Sequence, residues 1–203
     1  MDSTTFPFPT MTYRDAVTQW PSEGQHVLAT YDDETIVVYQ AYRPSIGRHA
    51  AEHGRFGNGF KFTRMSWIKP NFLWMMYRSG WGTKEEQEVT LALVLRRAFF
   101  DDLLARAVPS TFDAERYATE EDWKRAVGSS DVRLQWDPDH NPAGGSVARR
   151  AIQLGLRGPA LAGWNGDDLL AVHDVSAFVA AQRPHAKPPY TQLQVPAERS
   201  YPA

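Results

Sequence analysis

An α+β domain is predicted from three features of this 203-residue chain. Short β-branched and aromatic runs read as strands. Helix-period segments with recognisable caps are mixed among them. The length suits one domain, and the chain contains neither an internal repeat nor a dividing linker. The expected architecture is a single domain over residues 1–183 with a mixed or antiparallel sheet and short flanking helices. A proline-rich segment, 184–203, follows it.

The elements follow in order. TIVVYQAY (Thr35 to Tyr42) is β-branched and aromatic, hence a strand. Pro44 suits a first helical position, so PSIGRHAAEH reads as a short helix stopped by Gly54. KFTRMSW (61–67) alternates in polarity and reads as a strand. After Pro70, FLWMMY (72–77) reads as a buried strand or a helical turn. Glu88 to Arg96 is apolar on both faces, the mark of a central strand. It runs into a helix through FFDDLLARAV that ends before Pro109. Thr119 with Asp122 caps a helix through Val127. DVRLQW (131–136) and RAIQLGL (150–156) are later strands, and Asp174 caps a helix through Gln182. Pro184, Pro188, Pro189, Pro196 and Pro202 then predict an extended tail wrapping the body, or disorder.

Composition narrows the function. With no cysteine, disulfide scaffolds, zinc ribbons, iron–sulfur clusters and thiol nucleophiles are excluded, and a cytoplasmic setting is expected. No apolar run reaches membrane-span length and the first residues lack a signal-peptide pattern, so no membrane partner is expected. A net charge of −2 argues against a wholesale nucleic-acid coat.

Charge is nevertheless uneven. Between Thr35 and Lys84 the only acid is Glu52, against eight lysines and arginines; a second acid-free stretch, Asn141 to Gly166, carries Arg149, Arg150 and Arg157. If the two meet, they form a positive cleft for an anionic ligand, with at least three of Arg43, Arg64, Lys69 and Arg150 lining it. Phe56 to Trp81 also holds eight of the chain's 25 aromatics (ten Phe, eight Tyr, seven Trp), interleaved with Lys61, Arg64, Lys69, Arg78, Ser66 and Asn71. Rings accept flat ligands by stacking and basic side chains accept phosphate, a combination suited to a nucleotide, a dinucleotide or a nucleic-acid strand. No dinucleotide fingerprint or P-loop spacing is present.

RMSWIKPNFLWMMYRSGW (64–81), QWDPDH (135–140) and RAIQLG (150–155) resemble domain-of-unknown-function family 4291, a resemblance that spans the chain up to the tail. A weaker resemblance concerns chemistry. A strand ending in Tyr42-Arg43, a short helix, and a strand with a polar residue before aromatics are similar to the opening of ADP-ribosyltransferases. Those enzymes bind NAD in the cleft of a split sheet and cleave its glycosidic bond. That resemblance implies NAD as a possible substrate, with Arg43 on the diphosphate, Tyr42 or Trp67 stacking, and Ser66 orienting the ribose. Trp74, Arg78 and Arg150 would complete the binding surface. Gln153 stands on a late strand where such enzymes usually place a glutamate, and a glutamine cannot stabilise an oxocarbenium charge as a carboxylate does.

Two further constellations stand out. In WDPDHNP, Asp137, Asp139 and His140 suit metal ligation, or Asp139 and His140 a base and its orienter, although Asp-Pro and Asn-Pro also make ordinary turns. The two flanking carboxylates are expected to raise the His140 pKa. His49-x-x-Glu52-His53 matches a zinc-hydrolase pattern in which both histidines bind metal and the glutamate is the base. No metal is expected, because nothing flanking it resembles a peptidase. The leading expectation is thus a transferase acting on NAD or another nucleotide. The alternatives are a non-catalytic nucleotide or nucleic-acid module and, behind it, a zinc hydrolase.

Overall fold

A computed structural model describes residues 6–57 and 59–202. In chain order its elements are β1 (Thr10–Thr12), α1 (Tyr13–Gln19), β2 (Gly24–Gln25), β3 (Leu28–Ala29), β4 (Thr35–Tyr42) and α2 (Pro44–His53). Then come β5 (Ser66–Ile68), α3 (Phe72–Ser79), β6 (Val89–Arg96), α4 (Arg97–Arg106), β7 (Val108–Pro109) and α5 (Glu120–Ser129). The chain finishes with β8 (Val132–His140), β9 (Ser146–Leu156), α6 (Gly158–Trp164), β10 (Leu169–Asp174), α7 (Ser176–Gln182), β11 (Gln194–Pro196) and β12 (Arg199–Ser200). This is a single α+β domain.

Two sheets organise it. The first is antiparallel, in the order β10-β6-β4, with Val38 opposite Leu93 and Val37 opposite Val94. Because β6 is central, both its faces are covered. Leu91, Leu93 and Leu95 enter one apolar cluster with Ile68, Leu154 and Trp164, while Ala92 enters another with Phe72, Met76 and Phe178. The second sheet is mixed: β8 and β9 form a long antiparallel hairpin, β2 joins β9 in parallel, β7 joins β8 in parallel, and β5 adds antiparallel to β9. One bridge links the sheets. Immediately after β5, Lys69 exchanges two backbone hydrogen bonds with Tyr39 of β4, at 2.6 and 3.2 Å.

Several elements depart from the sequence reading. Only Ser66 and Trp67 of the alternating 61–67 segment are strand, continued by Ile68, because β9 pairs with those three residues alone. FLWMMY is helical. The Asn71 side chain accepts from the Trp74 amide at 2.6 Å, and Gly80 closes the helix in the left-handed region at φ 59°. The Asp-Pro-Asp-His segment is not the turn; β8 runs through it with a register shift between Pro138 and His140, and the loop is Asn141–Gly145. Within 184–202, β11 pairs with β1 and β12 with β3. The small elements β1, α1, β2, β3, α6 and β10 have no counterpart in the sequence reading.

Gly47 fixes how closely α2 lies on β6: a Cβ there would stand 2.5 Å from Val89 Cγ1. Gly47→Ala is therefore expected to destabilise the fold by about 1–3 kcal/mol through overpacking. Urea denaturation would show it as a lowered midpoint at unchanged slope.

Candidate functional site

The bridge between the sheets opens on a cleft. Its deeper part, about 580 Å³, is walled by Gln40 and Tyr42 of β4, Ser66 and Trp67 of β5, Lys69, Met75 and Arg78 of α3, and Gln135 and Gln153 of the β8–β9 hairpin. A second part, about 340 Å³, shares Tyr42, Arg64, Met65 and Ser66 with it and extends to Arg43, Phe60, Lys61 and Glu86. Each volume lies within the range of small-molecule sites.

Polar side chains of the cleft are organised from β4. Gln40 Nε2 donates to Ser66 Oγ at 2.8 Å and to the Trp67 carbonyl at 3.0 Å, and Tyr42 Oη lies 2.9 Å from Ser66 Oγ. Burial raises the Tyr42 phenol above its ordinary pKa, so it stays protonated. The Trp67 indole lies against Gly155, its cross-strand partner, where a Cβ would sit 3.0 Å from the ring. On the opposite wall Gln135 Nε2 and Gln153 Nε2 each donate to one oxygen of Asp137, at 2.8 and 2.7 Å. The sequence reading took Asp137 as a metal-ligand candidate and not as a catalytic or binding residue. Its signal was the pair of glutamines at matching strand positions, which becomes informative only once the register is known.

Lys69 is the most unusual member. It is 6% exposed, and Nζ donates to the Trp67 carbonyl at 3.3 Å and lies 5.1 Å above the Trp74 ring. Among the described residues it has no carboxylate ion pair. Desolvation and then the Arg78 charge depress its pKa to about 7, against a weaker opposing pull from Asp137. The guanidiniums of Arg64 and Arg78 are exposed at the rim and have no hydrogen-bond or ion-pair partner among the described residues. Arg43 faces Glu86 at 3.5 Å, both well exposed.

Arg43, Arg64 and Lys69 thus line the cleft, but Arg150 does not. It lies on the other face of β9 with Ile152 and Leu154, its guanidinium donating to the Trp136 carbonyl at 2.7 Å. The two basic stretches meet through the β5–β9 pairing, but the arginines of the second do not join the cleft. Arg149 is buried against Asp139 at 2.7 Å and also reaches the Pro21 carbonyl; Arg157, helped by Arg133, satisfies carbonyls at the end of α5. Asn71 and Trp74 are buried parts of α3, the first as its cap. Of the eight rings in 56–81, Phe56, Phe72, Trp74 and Trp81 are core, Phe62 and Tyr77 are exposed, and Phe60 and Trp67 line the cleft.

Asp139 and His140 lie beyond the cleft wall. Asp139 is fully buried and accepts from Arg149 and from the His140 amide. The His140 ring stacks on Tyr77, centroids 3.5 Å apart and planes within 9°. The expected rise in its pKa is corrected: burial outweighs the pull of Asp139 and Asp137, and the pKa falls below 6.5. His49 and His53 stack on each other on α2, with His53 Nδ1 on the His49 carbonyl. Among the described residues no three His, Asp or Glu side chains converge as a metal site, and no helix is long and apolar enough to cross a membrane.

Glu198 is a second residue whose place the sequence hid. It is buried, its Oε1 accepts from the Phe72 amide at the start of α3 at 2.6 Å, and burial raises its pKa well above the usual carboxylate range. It therefore ties the C-terminal segment to the helix that carries Arg78.

Two outcomes follow. Arg149→Ala leaves Asp139 buried without its cation and should cost about 3–5 kcal/mol in chemical denaturation. Because the folded-state pKa of His140 is depressed, the unfolded chain binds the extra proton, so stability is lost as pH falls from about 6.5 through the folded value. His140→Asn should flatten that decline, measured as wild type minus variant because His173 titrates in the same direction.

No curated protein matches the chain. The family described as "Domain of unknown function (DUF4291)" matches residues 26–201, from before β3 to beyond β12, and so includes both sheets except β2, the cleft and Glu198. The chain belongs to that family.

Proposed function

We propose that the protein is an enzyme acting on a nucleotide-type substrate, bound in the cleft where β4 meets β5. NAD is the first candidate and glycosidic-bond cleavage with transfer the reaction class. The observation that carries this reading is the pairing, in one cavity, of ring surfaces with guanidiniums that no protein group neutralises. Tyr42, Phe60 and Trp67 supply the rings and Arg64 and Arg78 the un-neutralised charge for phosphate, with Arg43, which faces Glu86, at the outer edge. Guanidinium–phosphate bonds are charge-assisted, so two or three in a partly dehydrated cleft select a phosphorylated ligand over its nucleoside.

In this reading the carboxylate that faces the reacting sugar is Asp137. Gln135 and Gln153 hold its two oxygens, which fixes its orientation, and a negative charge there stabilises positive charge developing at an anomeric carbon. Gln153 then acts through Asp137 rather than on the substrate. Ser66, held by Gln40 and Tyr42, is placed to hydrogen-bond a sugar hydroxyl. A cytoplasmic setting fits a nucleotide substrate and a chain without cysteine.

Thermal-shift titration with NAD, AMP and adenosine tests it. The phosphorylated ligands should raise the melting temperature well above the effect of adenosine, by about 2.7 kcal/mol of stabilisation at 100 times the dissociation constant. Arg78→Gln should weaken their binding by about 1.5–3 kcal/mol. Asp137→Asn should leave binding within a few-fold while lowering NAD turnover about 100-fold or more. Equal shifts for nucleoside and nucleotide would overturn the phosphate site. Tight binding with no turnover of any nucleotide would make the protein a binding module.

A further inference from the structure

We propose that Lys69 is a carbonyl-reactive amine, which forms an imine with a phosphorylated aldehyde held in the cleft. The inference rests on the cleft being the ligand site and adds a covalent step to it.

Three observations converge on this side chain. The first is placement. The backbone of Lys69 is locked by two hydrogen bonds to Tyr39, so its position cannot drift with the exposed loop before β5. Its amine ends on the cleft wall, with one hydrogen bond and an aromatic face for company. A lysine needed only for packing would be better replaced by an apolar residue, and one needed only for charge would sit beside an acid or in water.

The second observation is the electrostatic neighbourhood. Arg78 from α3 and Arg64 from the loop before β5 are the cations of the same cleft, Asp137 from β8 is the facing acid, and Tyr42 from β4 is neutral. Burial and the guanidinium favour the uncharged amine, and the resulting pKa of about 7 leaves a large nucleophilic fraction near neutral pH. A lysine at its ordinary pKa is almost wholly charged there.

The third is ligand chemistry. The Arg78 guanidinium that helps depress the amine is also free to hold phosphate, as is that of Arg64, so the carbonyl compound favoured here is itself phosphorylated. The Nζ lone pair adds to the aldehyde carbon, and the carbonyl oxygen takes up the electron pair and a proton. The resulting carbinolamine loses that oxygen as water with the two amine hydrogens, leaving a carbon–nitrogen double bond. An aldose phosphate with a free anomeric carbon is such an aldehyde in its open form. Cleavage of a nucleotide's glycosidic bond by water leaves a sugar of that type, which joins the imine to the proposed reaction.

The test uses pyridoxal 5′-phosphate and ribose 5-phosphate as probes, with borohydride to reduce the imine to a stable secondary amine. Peptide mass mapping then reads the site. At pH 7 the label should concentrate on Lys69 rather than on Lys61, Lys84, Lys124 or Lys187, all of which are exposed. Inorganic phosphate should suppress it, and Lys69→Arg should abolish it. Should Lys69→Arg fail to fold, Arg78→Gln, a change at an exposed position, serves instead. It should slow labelling of Lys69 several-fold at pH 7 and move the labelling midpoint to higher pH. Label spread evenly over the exposed lysines, or rates indifferent to Arg78, would overturn the proposal. If NAD binds and phosphate protects the fold while Lys69 stays unlabelled, the covalent step fails and the nucleotide site stands. Selective labelling of Lys69 without nucleotide binding has the opposite meaning: it supports the reactive amine and overturns the nucleotide substrate.

Discussion

The two backbone hydrogen bonds between Tyr39 and Lys69 are the constraint on which the rest of the molecule depends. They are the point where β5, a member of the mixed sheet, is brought against β4 of the antiparallel one. Everything in the cleft takes its position from that join. Gln40 and Tyr42 follow Tyr39 on β4, while Ser66 and Trp67 precede Lys69 on β5, so the hydrogen bonds among these side chains form across the same seam. Pro70 and the Asn71 cap then start α3 at once, which sets Arg78 over the cleft two turns later. The cost is a buried ammonium group, met by one carbonyl, one indole face and a depressed pKa.

A second buried ionic group supports the same arrangement from behind. Asp139, Arg149 and Glu198 lie where the β8–β9 hairpin, the start of α3 and the C-terminal segment meet. Glu198 accepts from the first amide of α3, and its backbone carbonyl accepts from Trp20 Nε1 at 2.9 Å. Removing charge from water is costly unless every partner is in place, so such a group resists rearrangement once formed. It explains why residues near both ends of the chain are needed around a cleft built from its middle.

Much of the architecture was legible because it rests on local signals. Thr35–Tyr42 matches the predicted strand residue for residue, Pro44 and Gly54 bound α2 as their backbone preferences require, and Thr119 caps α5 through the Asp122 amide at 3.1 Å. The centrality of β6 was readable from apolar residues on both faces. The α3 segment was ambiguous because six consecutive apolar residues carry no period, and only burial on every side explains such a run. Apart from β5, which overlaps the predicted 61–67 strand, the two- and three-residue strands were invisible, since each exists only by virtue of a distant partner.

For the site, the sequence by itself determined which residue types were available: an aromatic and basic segment over 56–81, almost free of acid, ahead of a second acid-free stretch. It could not decide which of those charges would be consumed by the fold. Tertiary structure assigned Arg149 to Asp139, Arg157 to the end of α5 and Arg150 to the far face of β9, and left Arg64 and Arg78 open. It also withdrew Asp139 and His140 from the cleft and put Asp137 beside it, between two glutamines. The physical reason is the period of the strand: neighbouring residues point to opposite faces, and a register shift of one residue reverses them. Composition tells what chemistry a chain can perform, and pairing across the sheet decides which side chains are left free to perform it.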